Sequence, residues 1–344
     1  MRPSGILAWV FWICFYTFAA LAQVPGLGGV EAVGITVSDL DRAVDFYTGV
    51  LHFQKESETE LAGPEVEHLK GLFGVRLRSA RLRLGSEEIE LTEYLAPQGR
   101  PIPADSRSND LWFQHLAIVV SDMDQAYRYL REHHVQHVSS GPQTLPAWNV
   151  QAGGIQAFYF RDPDGHVLEL IHFPPRKGDP RWQQHGQDLF LGIDHTAIAV
   201  SNTDASLAFY RDELGMHIAG GSENYGDEQE HLNNVFGARL RITALRGPHG
   251  PGIELLEYLA PRNGRRIPED TRANDLAHWE TLIEFTNADA VWADLYKMHV
   301  RFVSIAVQSA AHQSQFLFAD PDGHVIAAVA QGAAQTIATQ GRQP

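Results

Sequence analysis

The chain has 344 residues, 44% apolar and 20% charged, which is long enough for two or more domains of about 100–200 residues and apolar enough to bury a core. Its 42 acidic residues outnumber 27 Lys and Arg, and the formal net charge of −15 excludes nucleic acid and anionic membrane surfaces as partners, because binding them needs clustered cations. The single cysteine, Cys14, excludes a disulfide framework.

The chain opens like an export signal: Arg2, an apolar run over residues 6–21, then Ala20-Leu21-Ala22 before Gln23. A positive start, an apolar stretch and a small-x-small site are the order of a signal peptide, here residues 1–22. The mature chain is then expected to be periplasmic or secreted and off the membrane. The alternative is an uncleaved anchor, since the run approaches the minimum of about 17 residues for a span. Cys14 falls inside this segment, so the mature chain would carry no thiol nucleophile or thiolate metal site.

Residues 32–37 read as a strand, after which Ser38 or Asp39 caps a helix with Leu40, Ala43, Val44, Tyr47 and Leu51 at helical spacing. Strands are expected near His52 and over residues 80–84 and 88–94, with the acidic run 56–60 as a solvated loop. A second unit starts at His115 and continues through a helix at 123–133 and strands at 135–139, 156–161 and 166–173. The Pro-rich start of a linker, 174–190, follows; a third unit covers 194–258, a fourth roughly 279–330, and the Ala- and Gln-rich tail 331–344 is expected to be disordered.

Repetition decides the organisation. Glu67-His68-Leu69 recurs as Glu230-His231-Leu232, residues 89–97 recur as 253–261 and residues 102–110 as 267–275, at a nearly constant offset, and Asp162-Pro163-Asp164-Gly165-His166 recurs as Asp320-Pro321-Asp322-Gly323-His324. The chain is a tandem duplication with halves at 30–173 and 191–330. Each half divides again, into modules 30–97 and 112–173, then 191–261 and 277–330.

His115 and His195 stand at equivalent first-strand positions, and Glu169 and Glu254 are single carboxylates in otherwise apolar last strands. Burying an unpaired carboxylate is costly, which favours a ligand role. The four side chains are expected to meet around one divalent metal, and two imidazoles with two carboxylates suit Zn, Ni, Mn, Co or Fe.

Four βαβββ units, two with the Asp-Pro-Asp-Gly-His turn before the last strand, resemble the vicinal oxygen chelate superfamily, which includes glyoxalase I, bleomycin and fosfomycin resistance proteins, methylmalonyl-CoA epimerase and extradiol dioxygenases. The resemblance covers nearly everything from Val30 to Ala330. It implies an α+β fold in which four tandem modules form two cup-shaped eight-stranded sheets, with metal ligands from the first and last strands. The first-strand positions hold Ala32, His115, His195 and Glu280, and the last-strand positions Glu90, Glu169, Glu254 and Ala327. Pairing neighbouring modules, as in extradiol dioxygenases, leaves each cup one ligand short. Pairing the second with the third and the first with the fourth, as in fused two-site glyoxalase I chains, gives one complete cup and one holding only Glu90 and Glu280. The second arrangement is preferred.

With the export signal, the resemblance gives the expectation of an exported metal-dependent lyase or isomerase that moves a proton beside two vicinal oxygens of a small-molecule substrate, with Glu169 or Glu254 as the base. The alternatives are an Fe(II) ring-cleaving dioxygenase and a non-catalytic resistance-type binder of a small molecule or metal. The chain is expected as a monomer or homodimer. His231 is expected at the substrate as a second acid or base, or else at the surface. His166 and His324 are expected to be structural or exposed, Arg107 and Arg272 to fix loops rather than to clamp a substrate carboxylate, and Trp148 and Trp182 to wall a pocket or pack the seam between halves. Glu93 and Glu257 are expected to be solvated, and Phe73 and Phe236 to lie on buried helix faces.

Overall fold

The structure is a computed structural model that describes residues 24, 26–184, 186–310 and 313–331. The expected signal segment and the tail beyond Gln331 lie outside the described residues. Among the described residues no helix is long and apolar enough to cross a membrane.

Each module starts with a strand that runs into a capped helix. β1 (Leu27–Val37) ends before Asp39, whose side chain accepts the Arg42 N–H at the start of α1 (Leu40–Gly49). Asp122 caps α3 (Met123–Glu132), Asn202 caps α4 (Thr203–Leu207) and Asn287 caps α6 (Ala288–Lys297) in the same way. Each cap satisfies an orphan donor and stabilises its helix by about 1 kcal/mol. The first and third modules add short helices, α2 (Pro64–Lys70) and α5 (Asp227–Asn233).

One sheet joins the outer modules in the order β15 (Arg301–Phe302), β17 (Gln313–Ala319), β18 (Val325–Gln331), β14 (Trp279–Phe285), β1, β4 (Glu87–Ala96), β3 (Arg76–Leu84) and β2 (Gln54–Ala62), with β16 (Gln308–Ala310) beside β17. The other joins the inner modules in the order β11 (His217–Tyr225), β12 (Arg239–Arg246), β13 (Gly252–Ala260), β10 (Phe190–Val200), β5 (Gln114–Val120), β9 (Val167–His172), β8 (Gln156–Arg161) and β6 (Gln136–His137), with β7 (Gln143–Thr144) beside β8. The α+β class is as expected. Each sheet has nine strands rather than eight, because a short strand is appended off the eight-strand path. The inner modules pair with each other through antiparallel β5 and β10, and the outer ones through β1 and β14.

The helical sides are packed differently. Tyr47 and Leu82 of the first module share a buried cluster with Phe158 and Phe160 of the second, and Tyr210 and Leu255 of the third share another with Phe316 and Phe318 of the fourth. Consecutive modules therefore share a core, while each sheet crosses between the halves.

Several expectations are corrected. Residues 56–60 are not a loop but part of the edge strand β2, because Glu56, Glu58 and Glu60 pair with Arg83, Arg78 and Arg76 across on β3. Glu93 and Glu257 are not solvated: they accept the N–H groups of Leu40 and Thr203 at two helix starts. Phe73 and Phe236 are 91% and 92% exposed, since left-handed Gly71 and Asn234 end their helices and turn the following chain outward. His166, expected to be structural or exposed, is structural: it is buried, with Nδ1 2.8 Å from Asp162 Oδ2 and Nε2 2.7 Å from the Leu276 carbonyl, so it ties its module to the loop before β14. His324 is buried too, with Nδ1 3.0 Å from Asp320 Oδ2.

Candidate metal centre

Sheet register brings the expected ligands together. In the antiparallel β5 and β10 pair, His115 lies opposite Ala197 and His195 opposite Ala117. Residues of that spacing share a face, and the two alanines leave the imidazoles room to approach, with ring centroids 5.6 Å apart. Parallel β9 sets Glu169 beside Ala117, and parallel β13 sets Glu254 beside Ala197. Each histidine thus has a carboxylate on either side of the seam.

Glu169 Oε2 lies 3.0 Å from His115 Nε2 and 3.5 Å from His195 Nε2, and Glu254 Oε2 lies 3.6 Å from His195 Nε2. Donor atoms of His115, Glu169 and His195 all fall within 4.8 Å of one another. Two donors each about 2.1 Å from a common tetrahedral ion are roughly 3.4 Å apart, so the spacing fits one ion. Both Nε2 atoms are buried without an aligned hydrogen-bond partner. Buried polar atoms are rarely left so, and nitrogens of this kind beside two carboxylates form a donor set suited to a cation. The residues present therefore fit a divalent metal.

Asp194 is a residue the sequence reading missed. It precedes His195, and alternation assigns consecutive strand residues to opposite faces. A register shift between Ile193 and His195, however, makes Asp194 the extra residue of a β-bulge. Its Oδ2 lies 2.9 Å from His195 Nδ1, and Arg246 and Trp182 Nε1 hold the same carboxylate at 2.8 and 3.0 Å. This fixes the tautomer: Nδ1–H donates to Asp194 and the Nε2 lone pair faces the two glutamates. Trp182 is therefore part of the support of the centre. Trp148 instead stacks on Tyr225 at the surface, with centroids 4.4 Å apart.

The two glutamates differ. Burial pushes the Glu169 carboxyl up, but the two imidazoles outweigh it and hold it at about 2. Burial also pushes Glu254 up, and its single close imidazole, His195, does not reverse this, so its pKa stays above the usual carboxylate value. Glu254 is also the more open, with 22% of its side chain exposed against 6% for Glu169. With His195 it lines a cleft of about 1110 Å³ that Asp194 and Arg246 also border. Glu31, Glu88 and Glu284 line the same cleft and make it acidic. His231 is not among the lining residues: it is exposed on α5, and its backbone carbonyl accepts the Ser140 N–H.

The outer sheet repeats the register with other residues. Glu280 and Glu90 flank Gly34, and Ala32 and Ala327 flank Leu282. Lys70 Nζ reaches Glu280 at 2.8 and 2.9 Å, and Arg81 Nε lies 2.7 Å from Glu90. Side-chain cations neutralise this cup, and among the described residues the one cluster able to hold a metal is the inner one.

Residues 29–170 and 192–328 match the model of the Glyoxalase/Bleomycin resistance protein/Dioxygenase superfamily. A 2-epi-5-epi-valiolone epimerase from Actinomyces sp. is 38% identical over 172 residues, covering 47% of this chain and 87% of that protein. A lactoylglutathione lyase from Arabidopsis thaliana is 24% identical over 182 residues, 53% of each chain. In structure, glyoxalase I from Zea mays has the same fold, with a TM-score of 0.57 at 17% identity, covering 88% of this chain and 92% of the other.

Proposed function

The chain belongs to the Glyoxalase/Bleomycin resistance protein/Dioxygenase superfamily, and from that footing we propose that it is a metal-dependent isomerase, an epimerase acting on a small hydroxy ketone. Its relatives include an epimerase and a lyase, both of which fit proton transfer. His115, Glu169, His195 and Glu254 would hold one divalent ion. Bound there, the ion supplies a Lewis acid that polarises the substrate carbonyl and takes up the charge developing on its oxygen.

The remaining work falls to the chain. The observation that carries the reading is that Glu254 alone of the two glutamates opens on the cleft. It is the base: a Glu254 carboxylate oxygen takes the proton from the carbon beside the carbonyl, the C–H electron pair moves towards the carbonyl oxygen, a water of the open cleft gives a proton to the opposite face and so inverts the centre, and Glu254 passes its own proton back to solvent. A raised pKa suits this role, because a stronger base removes the proton more readily. Glu169, closed off and paired to two imidazoles, stays a ligand. Glu31 and Glu88, which share Arg81, and Glu284, beside His249, line the cleft with carboxylate oxygens that can accept hydrogen bonds from substrate hydroxyls, which suits a hydroxy ketone.

Deuterium incorporation from solvent into α-hydroxy ketones tests this. Wild type should exchange, and Glu254→Gln should lose roughly 10²–10⁴-fold while keeping its metal. Exchange surviving in that variant would sink the assignment. One observation favours a second reading: His115, His195 and Glu169, the tightest three, are a two-His-one-carboxylate set suited to Fe(II) oxygen chemistry. Oxygen uptake with catechols, without deuterium exchange, would select it. We also propose that residues 1–22 are removed on export, which amino-terminal sequencing of the mature chain checks.

A further inference from the structure

We propose that the mouth of the outer cup is a second binding site, for a small organic carboxylate. A cavity of about 240 Å³ opens there, somewhat below the ~300–1,000 Å³ of drug-sized sites. Lys70 and His278, both buried and both bonded to Glu280, line its polar side, and Trp279 and Ile267 line its apolar side. Arg272 and Arg301 complete the lining, and among the described residues neither guanidinium is in an ion pair or side-chain hydrogen bond.

The duplication supplies an internal control. The equivalent loop of the first half lines a cavity of only about 40 Å³, which shares Trp112, Gln114, Ala277 and Trp279 with the larger one. There Arg107 donates to Asp110 Oδ1 at 3.2 Å and to the Asn263 carbonyl at 2.9 Å, and Arg161 donates to the Gly165 carbonyl at 2.7 Å. In the second loop Arg272 is bonded through its backbone, its N–H donating to the Asp275 carboxylate at 2.9 Å and its carbonyl accepting the Asp275 N–H at 3.0 Å, while the Asp275 carboxylate is also held by Arg100. Ala277 stands where the first loop has Trp112, and both side chains line the larger cavity, so an indole at 277 would take up part of its space. The two copies have diverged towards a larger cavity with free cations.

Charge sets the class of ligand. Lys70 is neutralised by Glu280, so the surplus comes from Arg272 and Arg301, in a protein whose net charge is −15. A guanidinium matches a carboxylate in plane and in hydrogen-bond geometry. The indole of Trp279 offers a flat apolar surface for the body of the same molecule. The ligand is therefore a small carboxylate with a short apolar or aromatic body.

Benzoate is the probe, titrated into the metal-loaded full chain by calorimetry with tryptophan fluorescence as a second readout. One saturable site per chain is expected, with benzyl alcohol binding at least about tenfold more weakly. Arg272→Ala and Arg301→Ala should each weaken benzoate roughly tenfold, and Ala277→Trp should abolish binding while keeping both charges. His115→Ala, which disrupts the inner cluster, should bind benzoate as wild type does. Absence of saturable binding, binding unchanged in Ala277→Trp and both arginine variants, or loss in His115→Ala overturns the proposal.

Discussion

Asp194 illustrates what a single side chain contributes to the centre. It touches His195 Nδ1, never the other ligands, and through that contact fixes which nitrogen offers a lone pair. Removing such support costs metal sites about 10–100-fold in affinity. Asp194→Asn should therefore weaken metal binding by that factor in competition with a chromogenic chelator, with no loss of fold by circular dichroism; unchanged affinity would assign Asp194 to the Arg246 ion pair alone. The residue was illegible in the sequence because a bulge, unlike alternation, leaves no periodic trace. His115 and His195 were legible because they recur at one position of a repeated strand. His231 was over-read for the same reason: repetition marked it, but the exposed side of α5 carries it.

At the scale of elements, α2 provides the internal cation of the outer cup. Lys70 and Glu280 are both buried, and breaking such a pair from one side typically costs about 3–5 kcal/mol. Lys70→Met should lower unfolding stability in urea by that order. Burial raises the Glu280 carboxyl, but Lys70 and His278 outweigh it and hold it at about 2, against 4.5 unperturbed. A depressed folded pKa gives stability that is complete above the unfolded value and lost as pH falls through the folded one. The wild type should therefore lose on the order of 3 kcal/mol from this group between about pH 4.5 and pH 2, and the Lys70→Met variant much less. Equal acid limbs would contradict the assignment. The helix starts and repeated strands here were readable from Asx caps and alternation. The acidic strand β2 was not, since its partners are arginines on β3 rather than an apolar face.

For the whole molecule, duplication has separated two tasks. Consecutive modules share cores, but the sheets join inner with inner and outer with outer, so the complete cup is built within one chain. The repeats revealed four modules and eight ligand positions. They left the pairing open, because sequence order does not say which strand edges meet. Only the hydrogen-bond register between β5 and β10 brings His115 and His195 to one point. Register also explains the asymmetry: equivalent positions in the outer cup carry alanine twice and glutamates already matched by Lys70 and Arg81.

Metal analysis of the purified mature protein tests this account most directly. One equivalent of divalent ion per chain is predicted, kept in Glu280→Gln and lost in the His115→Ala, His195→Ala double variant. Two equivalents per chain, or one that survives loss of both histidines, would contradict it.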